Sequence, residues 1–229
     1  MANYPRYAIY FTAAPGSALD RFGSALLGYD AYGGDDLPFP DGLPEDWRNL
    51  TQDPRKYGFH ATLKAPIALA DGKAESRLAA ACELFADLAR PVPVIQPVVD
   101  AISGFVAVVP AEPSAELELL AAEATKAFDP FRAPLSSEDR ARRNPDRLTP
   151  RQRDYLDRWG YPYVFEEFRF HMTLTTRLPA ERREPVVAML RERFAATGVG
   201  PLPIDAISLC RQETATTRFR VIGRWQLHD

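Results

Sequence analysis

Two stretches of this 229-residue chain are near copies of one another, and that repetition limits the possible fold more than any other feature. Phe59-His60-Ala61-Thr62-Leu63 and Phe170-His171-Met172-Thr173-Leu174 agree at four of five positions. Each is followed by an amphipathic segment, the first carrying Leu78, Cys82 and Phe85 at helical spacing. Then come Pro91-Val92-Pro93-Val94 and Pro201-Leu202-Pro203-Ile204, and after them the identical tetrapeptides Asp100-Ala101-Ile102-Ser103 and Asp205-Ala206-Ile207-Ser208. From histidine to aspartate the interval is 40 residues in the first copy and 34 in the second. Shared order at similar spacing marks a duplicated supersecondary unit. The chain is therefore expected to form one bilobal domain over 1–229, with repeats at about 57–110 and 164–227 and a helical insertion at about 129–162.

Periodicity and turn residues place the elements. Strands are predicted over 4–11, 57–64, 164–176, 201–209 and 218–226, with two more inside 92–110. Helices are predicted over 17–27, with Ser17 as N-cap, and over 73–89, 113–128 and 179–196. Residues 28–54 read as a long Gly-, Pro- and Asp-rich connection. Within the insertion, Thr149-Pro150-Arg151-Gln152 has the form of a capping box with a first-turn proline.

Side chains two apart on a strand share a face. Phe59, Ala61 and Leu63 would thus turn inward, as would Phe168, Phe170, Met172 and Leu174, leaving His60/Thr62 and His171/Thr173 on the opposite ledges. If a pseudo-twofold axis relates the repeats, the two histidines lie on adjacent strands and face one ligand across a cleft. Imidazole is the side chain that can be either acid or base near neutral pH. A neutral histidine can take a proton from an attacking water or hydroxyl, and a protonated one can deliver a proton to the leaving oxygen. Threonine hydroxyls two residues along can donate to the non-bridging oxygens of a phosphate as charge builds. A His-x-Thr-Leu string follows a given histidine by chance on the order of once in 200, yet two of the three histidines carry it. A zinc site would need His228, the penultimate residue, and no His/Asp/Glu spacing matches a metal motif. The expectation is metal-independent chemistry with no cofactor.

Net charge is −3 and the sequence pI about 5.7, which disfavours a protein that tracks a long nucleic-acid backbone but not one with a local basic pocket for a small anion. No apolar run is long enough to span a bilayer, and the first residues lack the pattern of a signal peptide. Cys82 and Cys210 form no close pair, so a reduced, cytoplasmic protein is expected.

The paired His-x-Thr motifs resemble those of the two-histidine phosphoesterase superfamily, which includes RNA 2′,5′-ligase-like proteins and cyclic nucleotide phosphodiesterases. Arg6-Tyr7-Ala8-Ile9-Tyr10-Phe11, Tyr57-Gly58-Phe59-His60-Ala61-Thr62-Leu63-Lys64 and Glu166-Glu167-Phe168-Arg169-Phe170-His171 resemble more narrowly its DUF1045-like bacterial branch, associated with phosphonate metabolism. The resemblance implies an α+β fold of two duplicated lobes, antiparallel sheets lining a central cleft and helices outside. It implies metal-free hydrolysis or transfer at cyclic or 2′-linked ribose phosphates, with His60, Thr62, His171 and Thr173 catalytic. By analogy with the branch, the substrate is a small anionic ribose phosphate such as 5-phosphoribosyl 1,2-cyclic phosphate. Two other functions remain open: an enzyme of RNA 2′,3′-cyclic ends or 2′,5′ linkages, using Trp159, Tyr161 and Tyr163, and a non-catalytic phosphate sensor.

Supporting residues are less determined by the sequence. Lys64 continues the first ledge, as a second phosphate contact or as a solvated lysine. Thr175 continues the other with the same alternatives. Arg169 is an anion clamp or a partner of Glu167. Arg6 and Tyr10 are candidates to line the cleft. The insertion arginines read as a solvated, salt-bridged face, whereas Arg132, isolated among turn and apolar residues, is the better phosphate ligand.

Overall fold

The structure is a computed structural model and describes residues 4–228. The chain opens with strand β1 (Arg6–Phe11), buried from Tyr7 onward, and helix α1 (Ala18–Leu27). Ser17 caps α1 by accepting the Asp20 N–H, and Gly28 closes it in the left-handed region at φ 64°. The connection after α1 holds two single-turn helices, α2 (Trp47–Leu50) and α3 (Gln52–Arg55). They are tied to the end of α1: Trp47 Nε1 donates to the Leu26 carbonyl at 2.8 Å and Arg55 Nε to the Leu27 carbonyl at 2.6 Å. Strand β2 (Ala61–Ala68) and helix α4 (Glu75–Asp87) come next. They are followed by β3 (Val94–Ile95), β4 (Pro97–Ile102) and β5 (Phe105–Pro110), one strand more than the pattern of prolines and valines suggests. Helix α5 (Ala115–Phe128) leads into the insertion, which contains α6 (Ser137–Arg142) and α7 (Pro150–Trp159). The predicted capping box of α7 forms, with Thr149 and Gln152 each accepting the other's backbone N–H. The remaining elements are β6 (Met172–Thr173), α8 (Ala180–Ala195), β7 (Leu202–Pro203), β8 (Ala206–Gln212) and β9 (Arg220–Gln226).

All strand pairs are antiparallel, in sheets ordered β2-β1-β8-β9, β4-β5-β6 and β3-β7. The order interleaves the repeats. The strand entered from His60 shares a sheet with β8, which carries the second Asp-Ala-Ile-Ser copy, whereas the strand entered from His171 joins the sheet of β4, which carries the first. The helices follow the same exchange. Helix α4 packs on β8 and β9, and α8 packs on β4 and β5. Where the exchange crosses, the equivalent proline-rich segments pair with each other, Val94 opposite Pro203 and Ile95 opposite Leu202. The class is α+β, with antiparallel sheets inside and helices on their outer faces. One core runs through both sheets, from Ile9, Phe11, Leu63 and Leu209 to Val106, Val108, Met172 and Leu190. Because each repeat completes the other's sheet, neither half retains a covered apolar face without its partner.

The predicted alternation holds at the apolar positions: Phe59, Ala61, Leu63, Phe168, Phe170, Met172 and Leu174 are all buried. Strand boundaries differ. The first motif strand begins at Ala61 and not at residue 57, because Gly58 sits at φ 76°, which no strand residue adopts. The second is far shorter than 164–176. Residues Phe165–Glu167 form a 3-10 turn with Phe165 at φ 53°, and only Met172 and Thr173 pair with β5. The ladder stops because the Thr175 side chain takes a place in it: Thr175 Oγ1 accepts the Val106 N–H at 3.0 Å. The two histidines therefore precede strands of different sheets, in place of the adjacent strands expected.

Candidate active site

His60 and His171 are presented alike. Each stands immediately before its strand, each is half-buried, and each directs Nδ1 at the carbonyl two residues earlier: Gly58 O at 2.9 Å and Arg169 O at 2.7 Å. A carbonyl only accepts, so both rings carry their Nδ1 proton and turn an accepting Nε2 to the cleft, which in His60 is met by the Thr62 hydroxyl. Each ring also rests on an aromatic from the neighbouring strand. Tyr10, opposite Thr62 in the β1–β2 register, stacks on His60 with centroids 3.8 Å apart, and Phe105 lies 5.4 Å from His171. The Gly58 conformation serves this arrangement directly. A side chain there would be strained at φ 76°, and its Cβ would lie 2.6 Å from the Ala31 Cβ.

The histidines meet in one cleft of about 270 Å³, lined also by Tyr57, Thr173 and Arg177. Thr62 opens onto the adjoining hollow of about 250 Å³, beside His171, Tyr161 and Tyr163. Thr62 Oγ1 is 3.3 Å from His60 Nε2. Burial lowers the His60 pKa to about 4, with a smaller contribution from the nearby His171. His171 is also lowered by burial, opposed by its bond to the Arg169 carbonyl. With both values lowered, both rings are neutral at pH 7, and the larger shift is that of His60. Among the described residues, no three His, Cys, Asp or Glu side chains converge to hold a metal ion.

The other sequence candidates part ways. Tyr10 is buried, and its ring backs His60. Lys64 is not a phosphate contact on the ledge: it is 3 % exposed, with Nζ 2.7 Å from Asp129 Oδ1 and its pKa lowered by burial. A kink in the β1–β2 register lets the lysine turn inward and fasten the start of the insertion to β2. Thr175 lies at the cleft wall, but its hydroxyl is committed to the backbone, accepting from Val106 and donating to the Thr176 carbonyl at 2.8 Å. Arg169 does not pair with Glu167, which is held by Gln152; its guanidinium donates to the Glu166 and Phe168 carbonyls at the rim beside His171. Arg132 is ion-paired to Asp129 at 2.8 Å and lines a separate cavity. Sequence reasoning missed Arg177. It borders both hollows at His171 and makes no hydrogen bond or ion pair with a described residue. Its counterpart in the first repeat is Pro66, so the duplication gave no signal for it.

A model of the family described as "Protein of unknown function (DUF1045)" matches residues 62–220, from Thr62 through the second His-x-Thr motif. The chain belongs to the DUF1045 family. Its start at Thr62 leaves His60 just outside the matched span. Among curated proteins, this DUF1045 chain is 35% identical over 215 residues to "Ribose 1,5-bisphosphate phosphokinase PhnN" of Janthinobacterium sp. (strain Marseille), covering 91% of the chain and 48% of that protein. It is 34% identical over 223 residues to the protein of the same name from Laribacter hongkongensis (strain HLHK9), covering 94% of the chain and 50% of that protein. The chain spans about half the length of these curated relatives. Among solved structures, E. coli LigT complexed with NADP+ is similar at 14% identity and a TM-score of 0.44, over 100% of both chains. A conserved protein of unknown function, ATU0111 from Agrobacterium tumefaciens str. C58, is similar at 11% identity and a TM-score of 0.44, over 96% of this chain and 85% of that one.

Proposed function

We propose that this chain is a metal-independent phosphoesterase that opens a cyclic or 2′-linked ribose phosphate by paired histidine acid–base catalysis. The observation that carries the reading is the matched presentation of the two rings, each with Nδ1 satisfied by a carbonyl and Nε2 left to a shared cleft. Two groups whose environments separate their proton affinities divide naturally into base and acid. His60, the more strongly desolvated, is the base: its Nε2 takes the proton of the attacking water as the water oxygen bonds to phosphorus. His171 is the acid: when an anion enters the cleft, this ring is the easier to protonate, and its Nε2–H passes to the ribose oxygen as the P–O bond breaks. Thr62 and Thr173 donate to the non-bridging oxygens, and Arg177 balances the substrate's charge.

The relatives' name supports a substrate. Opening 5-phosphoribosyl 1,2-cyclic phosphate at the bond between phosphorus and O2 yields ribose 1,5-bisphosphate, the compound named for the phosphokinases. The chain itself has no Gly-x-x-x-x-Gly-Lys-Ser/Thr phosphate loop, so the proposal does not extend the kinase activity to it. Tyr161 and Tyr163 beside Thr62 favour a second reading, a nucleotide with a 2′,3′-cyclic end whose base stacks there.

The test is a screen of purified protein, with EDTA present, against ribose cyclic phosphates and 2′,3′-cyclic nucleotides. Turnover of a ribose cyclic phosphate is expected, with His60→Ala and His171→Ala each lowering kcat by about 10²–10⁴. The double variant should lose much less than the product of the two, since the pair acts as a unit. Preference for cyclic nucleotides would transfer the function to the second reading. Melting-temperature shifts with ribose phosphates but no turnover would make the chain a sensor, and dependence on added zinc or manganese would refute the mechanism.

A further inference from the structure

A second cavity, of about 310 Å³, lies on the other side of Tyr57 from the histidines, between β1, β2 and the insertion. Tyr57 borders both spaces, with its ring 6.0 Å from that of His60. Four arginines line the second space, Arg6, Arg132, Arg142 and Arg143, against one acid, Asp139. Two of them are matched by carboxylates: Arg142 pairs with Glu138 and Asp139, and Arg132 with Asp129. Asp129 is itself divided between Arg132 and the buried Lys64, so one negative charge serves two positive ones. The other two arginines have no carboxylate partner among the described residues. Arg6 donates to the neutral amide oxygen of Gln212 and lies over the Phe219 ring at 5.6 Å. Arg143 lies over the Tyr161 ring, at 5.0 Å. Both are half-buried, which makes an unmatched guanidinium more costly than on an open surface. Of the insertion arginines, Arg140, Arg142, Arg151 and Arg158 form the expected salt-bridged face. Arg147 and Arg153 have no carboxylate partner among the described residues either, but they do not line the cavity; Arg143 does, and it is held there by an aromatic that also lines the Thr62 side of the catalytic cleft.

We propose that this cavity is a second anion subsite, in which Arg6 and Arg143 hold a phosphomonoester carried on the same sugar as the reacting phosphate. The proposal rests on the phosphoesterase reading and narrows it to doubly phosphorylated substrates. Guanidinium forks suit phosphate oxygens in geometry as well as in charge. Both arginines line the cavity, Arg6 from the start of β1 and Arg143 from the end of α6. Arg132 also lines the cavity, close against Gly160, where an added Cβ would lie 2.9 Å from its Cδ. A pentose with phosphates at both ends would pass the edge of the Tyr57 ring, one group between the histidines and the other among the arginines. Discrimination for the second phosphate would then come from the insertion, not from the repeats.

The experiment compares ribose 1,2-cyclic phosphate with and without a 5-phosphate. Wild-type kcat/KM should favour the 5-phosphorylated compound by about 30-fold or more, and Arg143→Gln and Arg6→Gln should each shrink that ratio by about 10-fold. Arg147→Gln, an exposed insertion arginine away from the cavity, should leave the ratio intact. A wild-type ratio near one, or a ratio unmoved in both variants, overturns the subsite while leaving the phosphoesterase reading standing. If neither compound turns over, that reading fails, and calorimetric titration with ribose 5-phosphate still decides the subsite. Binding weakened about 10-fold in Arg143→Gln sustains it, and binding that is absent or unchanged refutes it.

Discussion

His60 should make the protein acid-sensitive, with a sign that follows from its burial in the cleft. The perturbation is a drop from pH 7 to pH 5, compared in wild type and His60→Asn. In the unfolded chain histidine titrates near 6.5, whereas burial in the cleft lowers His60 to about 4. Between those values the unfolded state binds the proton and the folded state does not, so stability falls as pH falls. The contribution is fully present above about pH 6.5 and is lost progressively toward pH 4. Linkage with those two pKa values gives a loss of about 2 kcal/mol between pH 7 and pH 5. Guanidinium unfolding at both pH values measures it. Wild type should lose about 2 kcal/mol more than His60→Asn, because the rest of the titrating groups, His171 included, are common to both proteins. Sulfate or phosphate should reduce the wild-type loss, because an anion between the rings favours their protonated forms. Equal pH dependence in the two proteins would show that His60 is not desolvated as described, and would remove the basis for assigning it the role of base.

Three further outcomes follow from the site. Thr62→Ala and Thr173→Ala should lower kcat by about 10–10³, less than loss of either histidine, because each removes one donor while the proton relay persists; steady-state kinetics with unchanged kcat would show that the hydroxyls do not face the developing charge. Gly58→Ala should cost at least about 1–2 kcal/mol, from the left-handed backbone, and lower kcat in protein that remains folded, since it displaces the carbonyl that orients His60. Wild-type kcat in that variant would disprove the orienting role. Asp129→Ala should destabilise the fold by about 3 kcal/mol, because it strips the carboxylate from a lysine that is 3 % exposed, and Lys64→Met in the same chain should restore most of the loss; denaturant midpoints of wild type and the two variants check this.

The repeat and its alternation let the sequence alone determine the core faces of both motif strands, the pairing of His60 with His171 as partners in one cleft, and the caps of α1 and α7. These are local properties: a period of two, a hydroxyl before a helix, a glutamine three residues after a threonine. What the sequence could not determine was where chain segments far apart would meet. Lys64 has the right parity to stand on the ledge, yet a register kink and an acid 65 residues away draw it into the interior. Thr175 has the same parity, yet it ends the ladder by replacing a backbone acceptor. Nothing local says that the duplicated units exchange strands, because that depends on which apolar faces cover one another best once both exist. Arg177 is matched by a proline, Pro66, in the first repeat, and Arg143 looks like its neighbours in a run of arginines. Only the packed structure separates them, because an unmatched charge is defined by the partners that fail to reach it.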